Sequence, residues 1–317
     1  MPALAYLDGG PPQPDALDWL LTSRALAYGE GAFTTARIYQ HQVIFLAAHL
    51  QRLQESLAGL SIPLDVVDWR LLEDEMRALA RQQGEGMLKV MLLAGTGGRG
   101  YRRDDETQWH RYLHTHDLSG TLDAYQTGVS VWRLDALESS VATPYKHLNR
   151  LPQVLYSAQL PAAYPDAIVV NDGGEIAEGI ARNLFWVEGS RCMTPPLASG
   201  ALAGVMRRQL LKTHETRAEG IKVEETREQE QEVPCLKTVQ SSINLPITEA
   251  PLTLARLLAA DEVILVNALQ GLWPVRSLND AQGCLQQWSV GPVTRMLMKC
   301  WHPQMGWPVG INEGEPS

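Results

Sequence analysis

Residues 143–151 read Thr-Pro-Tyr-Lys-His-Leu-Asn-Arg-Leu, and they place a lysine, a histidine, an asparagine and an arginine together just before the apolar stretch LPQVLYSAQL. Further along the chain, Glu178 precedes a second apolar stretch, Asn183–Val187. Two interpretations of Lys146 follow. The lysine forms an ion pair with a carboxylate, or its amine acts as a nucleophile once its pKa falls below the usual value of about 10.4. The residues alone leave both interpretations open.

The residues before this stretch predict helices and strands in alternation. Leucines recur at steps of three and four from Leu46 to Leu60, which predicts a helix that ends before Pro63. Arg52 and Gln51 are then expected to face away from the buried leucines. A second helix is predicted over residues 67–81, and strands are predicted over residues 3–10, 42–45, 87–94 and 111–116.

The fold class that these elements predict is α+β with two domains. Residues 1–118 are predicted to form an N-terminal domain with a mixed sheet, residues 119–126 a linker, and residues 127–317 a strand-rich C-terminal domain. In the second domain, strands are expected over 128–134, 166–170, 183–187 and 261–266, and helices near 151–160, 201–212 and 252–259. The polar stretch 225–247 shows neither period and is expected to be a long surface loop.

Composition excludes several classes of function. The 317 residues include 27 Lys and Arg against 36 Asp and Glu, a formal charge of −9 that disfavours nucleic-acid binding. No uncharged run is long enough to span a bilayer, and the N-terminal residues lack the pattern of a secretory signal. The cysteines Cys192, Cys235, Cys284 and Cys300 form no CxxC pair, so we expect reduced thiols in a cytoplasmic protein.

Two further patterns are tested against simpler interpretations. Residues 95–100 satisfy GxGxxG, but charged residues and not a helix follow Tyr101, so a dinucleotide fold is not predicted. A glycine-rich loop that carries Arg99 could instead approach an anionic small molecule, or be a solvated hairpin. His114 and His116 share one face of a predicted strand without a third ligand, so no metal site is predicted.

Residues 143–151 and several further motifs together resemble the fold-type IV family of pyridoxal phosphate enzymes. Members of this family include branched-chain and D-amino-acid aminotransferases. The matching residues, in chain order, are Arg24-Ala25, 28–37, 49–53, 97–101, 146–151, Glu178 with 183–186, 204–207, 260–263 and 267–269. Residues 33–37 (Phe-Thr-Thr-Ala-Arg), 97–101 (Gly-Gly-Arg-Gly-Tyr) and 146–150 (Lys-His-Leu-Asn-Arg) are similar to the lyases of this family that act on 4-amino-4-deoxychorismate.

The resemblance implies a role for particular residues in binding pyridoxal 5'-phosphate. Lys146 would form the Schiff base, Glu178 would hold the pyridine nitrogen, and Arg52 would bind the phosphate. Val205, Met206 and Asn267 complete the implied cofactor-binding set, the first two through backbone N–H groups. Met206 replaces a threonine common in the aminotransferases and Arg182 lies in a turn that is often serine-rich there, so the phosphate site is expected to depend more on backbone groups, with help from Arg182.

The implied reaction converts aminodeoxychorismate to 4-aminobenzoate, a folate precursor, and pyruvate. The substrate carries two carboxylates, for which Arg99 is the first candidate, with Arg111 and Tyr101 as further ones. The resemblance also implies a homodimer. Two alternatives stay open: an aminotransferase acting on D-amino acids or branched-chain amino acids, and a descendant without enzymatic activity.

Overall fold

The computed structural model describes residues 4–13, 16–118, 123–135, 144–171, 173–218 and 245–308. The chain divides into two compact units, a first unit of residues 1–119 and 145–151 and a second unit of residues 120–144 and 152–317. Residues 145–151 are predicted from the sequence to lie in the second domain, but their backbone hydrogen bonds join them to the first unit. Most of the polar stretch 225–247, part of the predicted linker and the C-terminal tail lie outside the described residues.

The first unit is built on a sheet of five described strands in the order β1-β5-β4-β2-β3. The strands are β1 (Ala5–Leu7), β2 (Gly31–Tyr39), β3 (Gln42–Val43), β4 (Gly86–Ala94) and β5 (Trp109–His116). The helices are α1 (Ala16–Leu21), α2 (Arg24–Tyr28), α3 (Leu46–Gly59) and α4 (Trp69–Gln83), with a 3-10 turn at Leu64–Val66.

The expectation of a mixed sheet in this unit is corrected by the structure. Every described strand pair in the sheet is antiparallel. Strands β2 and β3 are joined by only two residues, Gln40 and His41, and so short a connection requires antiparallel pairing. The long strand β2, which was not predicted from the sequence, lies inside the sheet between the central strand β4 and the edge strand β3.

The core of the first unit is formed by the apolar faces of α3, α4 and the sheet. Leu53 and Leu57 of α3 are fully buried in it, which confirms the predicted leucine periodicity. Helix α4 begins after Asp68, whose side chain accepts a hydrogen bond from Leu71 N at 3.0 Å. It ends at Gln83, and the C-cap residue Gly84 has a φ of 77°, which favours glycine.

The second unit contains a sheet of nine described strands. The strands are β6 (Val129–Asp135), β7 (Ala167–Val170), β8 (Ile176–Gly179), β9 (Asn183–Glu188), β10 (Arg191–Thr194), β11 (Ile247–Glu249), β12 (Glu262–Asn267), β13 (Gly271–Asp280) and β14 (Gly283–Gln287). Their order is β11-β10-β9-β12-β13-β6-β7-β8, and β14 pairs with β13. The helices are α5 (Asp123–Gln126), α6 (Leu151–Gln159), α7 (Val205–Ala218), α8 (Leu254–Leu258) and α9 (Pro292–Trp301).

This sheet is mixed. The pairs β10–β11, β13–β6 and β6–β7 are parallel and the other described pairs are antiparallel. Strands β9 and β12 are buried along nearly their whole length, as expected for near-continuous apolar runs. In the part of the chain that the structure describes, no helix has the length and apolar character needed to cross a membrane.

Candidate active site

In the first unit, the backbone around Lys146 is fixed by strand β2 and helix α3. Phe33 N donates to Lys146 O at 2.9 Å, and Leu148 N donates to Gly31 O at 3.0 Å. Lys146 N donates to the Ser56 hydroxyl of α3 at 3.1 Å. Because the backbone on both sides of Lys146 is hydrogen-bonded to β2 and α3, the Cα atom that carries the lysine side chain is held in a fixed position.

Helix α3 approaches this segment so closely that its last residue must be glycine. A Cβ atom on Gly59 would lie 2.1 Å from Cζ of the Tyr145 ring, a distance that excludes any other side chain without rearrangement. The ring of Tyr145 therefore packs directly on the helix backbone. This contact fixes the residue before Lys146, as the hydroxyl of Ser56 fixes Lys146 itself.

Three cationic side chains surround the ring of Phe33, a residue of β2. Lys146 Nζ lies 4.9 Å from the ring centroid, Lys89 Nζ lies 5.3 Å from it, and Arg150 Cζ lies 5.6 Å from it. Cations at such distances interact favourably with an aromatic face. Lys89 is half-buried, and no acidic side chain of the described residues forms an ion pair with it. The cluster can therefore attract an anion to the vicinity of Lys146.

His147 adds no charge to this cluster near neutral pH. Burial, and then the positive charges of Arg150 and Lys146, lower the pKa of its imidazole from 6.5 to about 4. His147 is thus neutral at pH 7. The positive charge around Phe33 comes from lysine and arginine alone.

Arg52 is buried, which corrects the expectation that it faces away from the core side of α3. Its Nη2 donates to the Thr34 hydroxyl of β2 and lies 3.5 Å from His49 Nδ1, while Thr34 Oγ1 and His49 Nδ1 are 2.7 Å apart. Burial and the neighbouring Arg52 hold the pKa of His49 well below 6.5, so the histidine is neutral. The polar residues His49, Arg52 and Ser56 form a second buried stripe on α3, next to the leucine stripe.

The glycine-rich loop after β4 presents two predicted substrate-binding residues to solvent. Arg99 is exposed, and the side chain of Tyr101 is 90% exposed. No helix follows Gly100, so the prediction that this GxGxxG stretch is a loop is confirmed. Arg111, the third candidate, lies on β5 and holds Glu75 through two hydrogen bonds of 3.1 and 3.0 Å. Its guanidinium is used in the fold, and we leave it out of the proposed site.

In the second unit, Glu178 is held by two donors. Its Oε2 accepts from Asn183 Nδ2 and from Leu202 N, both at 2.9 Å. The same Asn183 amide donates to Leu202 O at 2.8 Å, so one side chain joins β8, β9 and the loop before α7. The carboxylate is therefore anchored to a loop that leads directly into a helix.

That loop ends at Gly204, and helix α7 begins at Val205. A Cβ on Gly204 would lie 1.9 Å from Asn183 Oδ1, so only glycine permits this close approach. The backbone N–H groups of Val205 and Met206 belong to the first turn of the helix, where they have no intrahelical acceptor and favour an anion. The Glu178 carboxylate and the first turn of α7 are thus joined by a single short loop.

Arg182 and Asn267 are engaged in contacts within the second unit. Arg182 Nη1 donates to the buried Asp166 at 2.5 Å, and its guanidinium lies 3.7 Å from the centroid of the Trp273 ring. Asn267, at the end of β12, accepts from Leu269 N and Gln270 N at 3.0 and 2.7 Å. Both residues organise the turn between β12 and β13 and its surroundings. Among the described residues, no group of three or more His, Cys, Asp or Glu side chains could hold a metal ion.

These groups fit pyridoxal phosphate. The cofactor requires an amine for its carbonyl carbon, a carboxylate for its pyridine nitrogen and donors for its phosphate. Groups of each of these kinds are present among the described residues: the amine of Lys146, the buried guanidinium of Arg52, the carboxylate of Glu178 and the first turn of α7. The fold is that of a pyridoxal phosphate enzyme of fold type IV.

Comparisons with known proteins also identify the family of this chain. The family model for amino-transferase class IV matches residues 31–239, and the chain belongs to this family. An aminodeoxychorismate lyase of Vibrio harveyi is 29% identical over 284 residues, which cover 87% of this chain and 93% of that protein. A branched-chain-amino-acid aminotransferase of Escherichia coli strain K12 is 25% identical over 295 residues, covering 88% and 85% of the two chains.

The fold is also found in a solved structure. The crystal structure of 4-amino-4-deoxychorismate lyase from Pseudomonas aeruginosa matches with a TM-score of 0.76 and 30% sequence identity. The match covers 95% of this chain and 98% of that one. Both units of the chain are therefore accounted for by one known fold.

Proposed function

We propose that the chain is a pyridoxal phosphate-dependent lyase that converts 4-amino-4-deoxychorismate to 4-aminobenzoate and pyruvate, a step that supplies a folate precursor. The observation that carries the proposal is the group of three cations around Phe33. A substrate with two carboxylates suits this positive site better than a branched-chain amino acid, which has one. The similarity to lyases of Vibrio harveyi and Pseudomonas aeruginosa over most of the chain supports the same activity.

The cofactor, when bound, withdraws electrons from the carbon that bears the substrate amine. We propose that the amine of Lys146 would hold the cofactor, and that the same amine removes the proton from that ring carbon as general base. The carbon–oxygen bond to the neighbouring enolpyruvyl group then breaks, and the ring becomes aromatic. Pyruvate and 4-aminobenzoate together contain all the atoms of the substrate, so no other reactant is consumed.

The other residues bind and orient. We propose that Glu178 keeps a proton on the pyridine nitrogen through its negative charge, and that Arg52 and the N–H groups of Val205 and Met206 bind the phosphate. Asn267 holds the turn after β12, and we propose that this turn borders the cofactor.

For the substrate carboxylates we propose Arg99 and Tyr101 on the glycine-rich loop. To these we add Lys89, which sequence reasoning did not identify and which lies with Lys146 around Phe33.

Product analysis tests the lyase against the aminotransferase. With aminodeoxychorismate as the sole reactant, we expect equal amounts of pyruvate and 4-aminobenzoate over many turnovers. A requirement for a 2-oxo acid acceptor, with no 4-aminobenzoate formed, would establish the aminotransferase instead. Borohydride reduction of the holoenzyme followed by peptide mapping checks the lysine, because a label on Lys89 or Lys212 would remove Lys146 from its role.

We also propose that the protein is a homodimer in the cytoplasm. The first unit exposes large apolar side chains, with Leu21 64% and Leu26 58% exposed, as at many subunit interfaces. The three described cysteines are free, which suits a reducing compartment. Sedimentation equilibrium of the holoenzyme checks the oligomeric state, and a monomer at micromolar concentration contradicts the proposal.

A further inference from the structure

Arg24, the first residue of α2, is a buried arginine for which the sequence suggested no function. Its side chain is 6% exposed. Its guanidinium donates to four backbone carbonyls of the loop that follows β4. Nη1 donates to Gly100 O at 3.0 Å, Gly97 O at 3.3 Å and Arg102 O at 3.4 Å, and Nη2 donates to Tyr101 O at 2.9 Å. We call residues 95–103 the glycine loop.

The charge of Arg24 is balanced by Glu30, which joins it to the end of the same loop. Arg24 Nε donates to Glu30 Oε2 at 2.5 Å, and Arg103 Nη1 donates to the other carboxylate oxygen at 2.5 Å. Each oxygen of Glu30 thus holds one arginine. Backbone contacts extend this arrangement to the start of the loop, where Arg24 N donates to Gly95 O at 3.0 Å.

The glycines allow the loop backbone to turn its carbonyls toward Arg24. Gly98 and Gly100 have φ values of 67° and 58°, which disfavour other residues. A Cβ on Gly98 would also lie 2.2 Å from Arg102 O. The backbone of the glycine loop is hydrogen-bonded to the buried Arg24, whereas the side chains of Arg99 and Tyr101 are exposed. Four of the hydrogen bonds that hold the conformation presenting these two side chains therefore come from one guanidinium, beside the contacts of Asp104 with Gly98 N and of Arg103 with Glu30.

We propose that Arg24 is a positioning residue for the glycine loop, holding it in the conformation in which Arg99 and Tyr101 receive the substrate's carboxylates. The link to substrate rests on the proposed function, whereas the hold on the loop rests on the hydrogen bonds alone. A lysine cannot replace Arg24 fully, because an ammonium group lacks the planar array of five donors that reaches four carbonyls and a carboxylate together.

The first experiment measures loop conformation without using activity. The glycine loop contains three trypsin sites, at Arg99, Arg102 and Arg103, and none of them is altered by substituting Arg24. We expect cleavage at these sites to be on the order of tenfold faster in Arg24→Met than in the unsubstituted protein, and intermediate in Arg24→Lys, because opening of the loop limits proteolysis. Arg77→Met, which removes an arginine that pairs with Glu73 on α4, is the matched control and should leave loop cleavage unchanged.

The second experiment measures the effect on substrate binding. In Arg24→Met we expect KM for aminodeoxychorismate to rise on the order of tenfold or more, with kcat changed much less, because contacts to spectator carboxylates contribute uniform binding. In an Arg99→Met background the same substitution should raise KM less than it does in the unsubstituted protein, because part of its effect passes through Arg99 and only the part that passes through Tyr101 remains. If Arg24→Met does not fold, the intermediate Arg24→Lys carries both measurements.

Unchanged cleavage and unchanged KM in a folded variant would overturn the proposal. So would a full, additive rise in KM in the Arg99→Met background, because Arg24 would then act elsewhere. If the unsubstituted protein has no lyase activity, the proposed function fails on its own, and the cleavage experiment still decides whether Arg24 holds the loop.

Discussion

Replacing Lys89 by methionine removes one of the three cations around Phe33 while keeping a side chain of similar length. Lys89 is half-buried on β4, and its ammonium lies 5.3 Å from the ring centroid that Lys146 approaches at 4.9 Å. A hydrogen bond between charged groups contributes about 1.5–3 kcal/mol. Because solvent reaches Lys89 in part, the lower value of about 1.5 kcal/mol applies, and this corresponds to roughly a tenfold fall in kcat/KM.

The assay follows pyruvate release from aminodeoxychorismate at several substrate concentrations, with cofactor absorbance recorded to show that the site is still loaded. Lys299→Met, which removes an exposed lysine from α9, is the control and should retain full kcat/KM. We expect the loss in Lys89→Met to appear mainly in KM. A change of less than twofold would show that Lys89 does not bind a substrate carboxylate, and a lost cofactor spectrum would assign the residue to the cofactor site instead.

Two further predictions concern the second unit. Glu178→Gln should retain cofactor but lose most of its turnover, because an amide cannot hold the pyridinium proton by charge; near-normal turnover in a steady-state assay would remove Glu178 from this role. Burial lowers the pKa of His302 from 6.5 to about 4. The unfolded state therefore takes up a proton below pH 6.5, whereas the folded state does so only below about pH 4. Between these pH values the free energy of unfolding falls by roughly 3 kcal/mol on account of this group. Urea titrations at pH 7 and 4.5 should therefore show a smaller loss of unfolding free energy in His302→Gln than in the unsubstituted protein, and equal losses would refute the role of His302.

Local periodicity was sufficient to predict helices and many strands. The leucines of α3 predicted a helix from residue 46, and the structure begins it at Leu46. Helix α7 begins at Val205, four residues later than the predicted 201, because Leu202 and Gly204 are used to anchor Glu178 and Asn183. Residues that serve a site depart from the pattern that serves the core.

Strand β13 shows a different limit of local reasoning. It is the longest described strand of its sheet, yet Pro274 lies inside it, and proline within a run argues against a central strand. The structure accommodates the proline beside an irregularity in the pairing with β6, between Val275 and Ser277. Whether a strand tolerates a proline depends on how its neighbouring strands pair with it. Those neighbours are distant in sequence, so local patterns do not reveal them.

The roles of Lys146 and Glu178 came from resemblance to a family, whereas the surroundings of these residues came from the structure. Lys89 carries no motif, and it reaches the ring of Phe33 because β2 and β4 pair with Thr35 opposite Lys89. A shift of one residue in that register would turn Lys89 to the other face of the sheet. Its place beside Lys146 could not be predicted without knowing the register.

Arg52 shows what the sequence could have revealed. His49, Arg52 and Ser56 recur at steps of three and four, the same spacing that identified the leucine stripe of α3. A helix that carries an apolar stripe and, beside it, a periodic stripe of hydrogen-bonding residues has two sides to bury. Burial of the polar side is stable only when neighbouring residues supply hydrogen-bond partners. Thr34 and Lys146 are such partners here, which places the polar side of α3 against β2 and the backbone of Lys146 and not against solvent. Periodicity should therefore be examined separately for polar residues, because a polar stripe at helical spacing indicates which side of a helix faces a site.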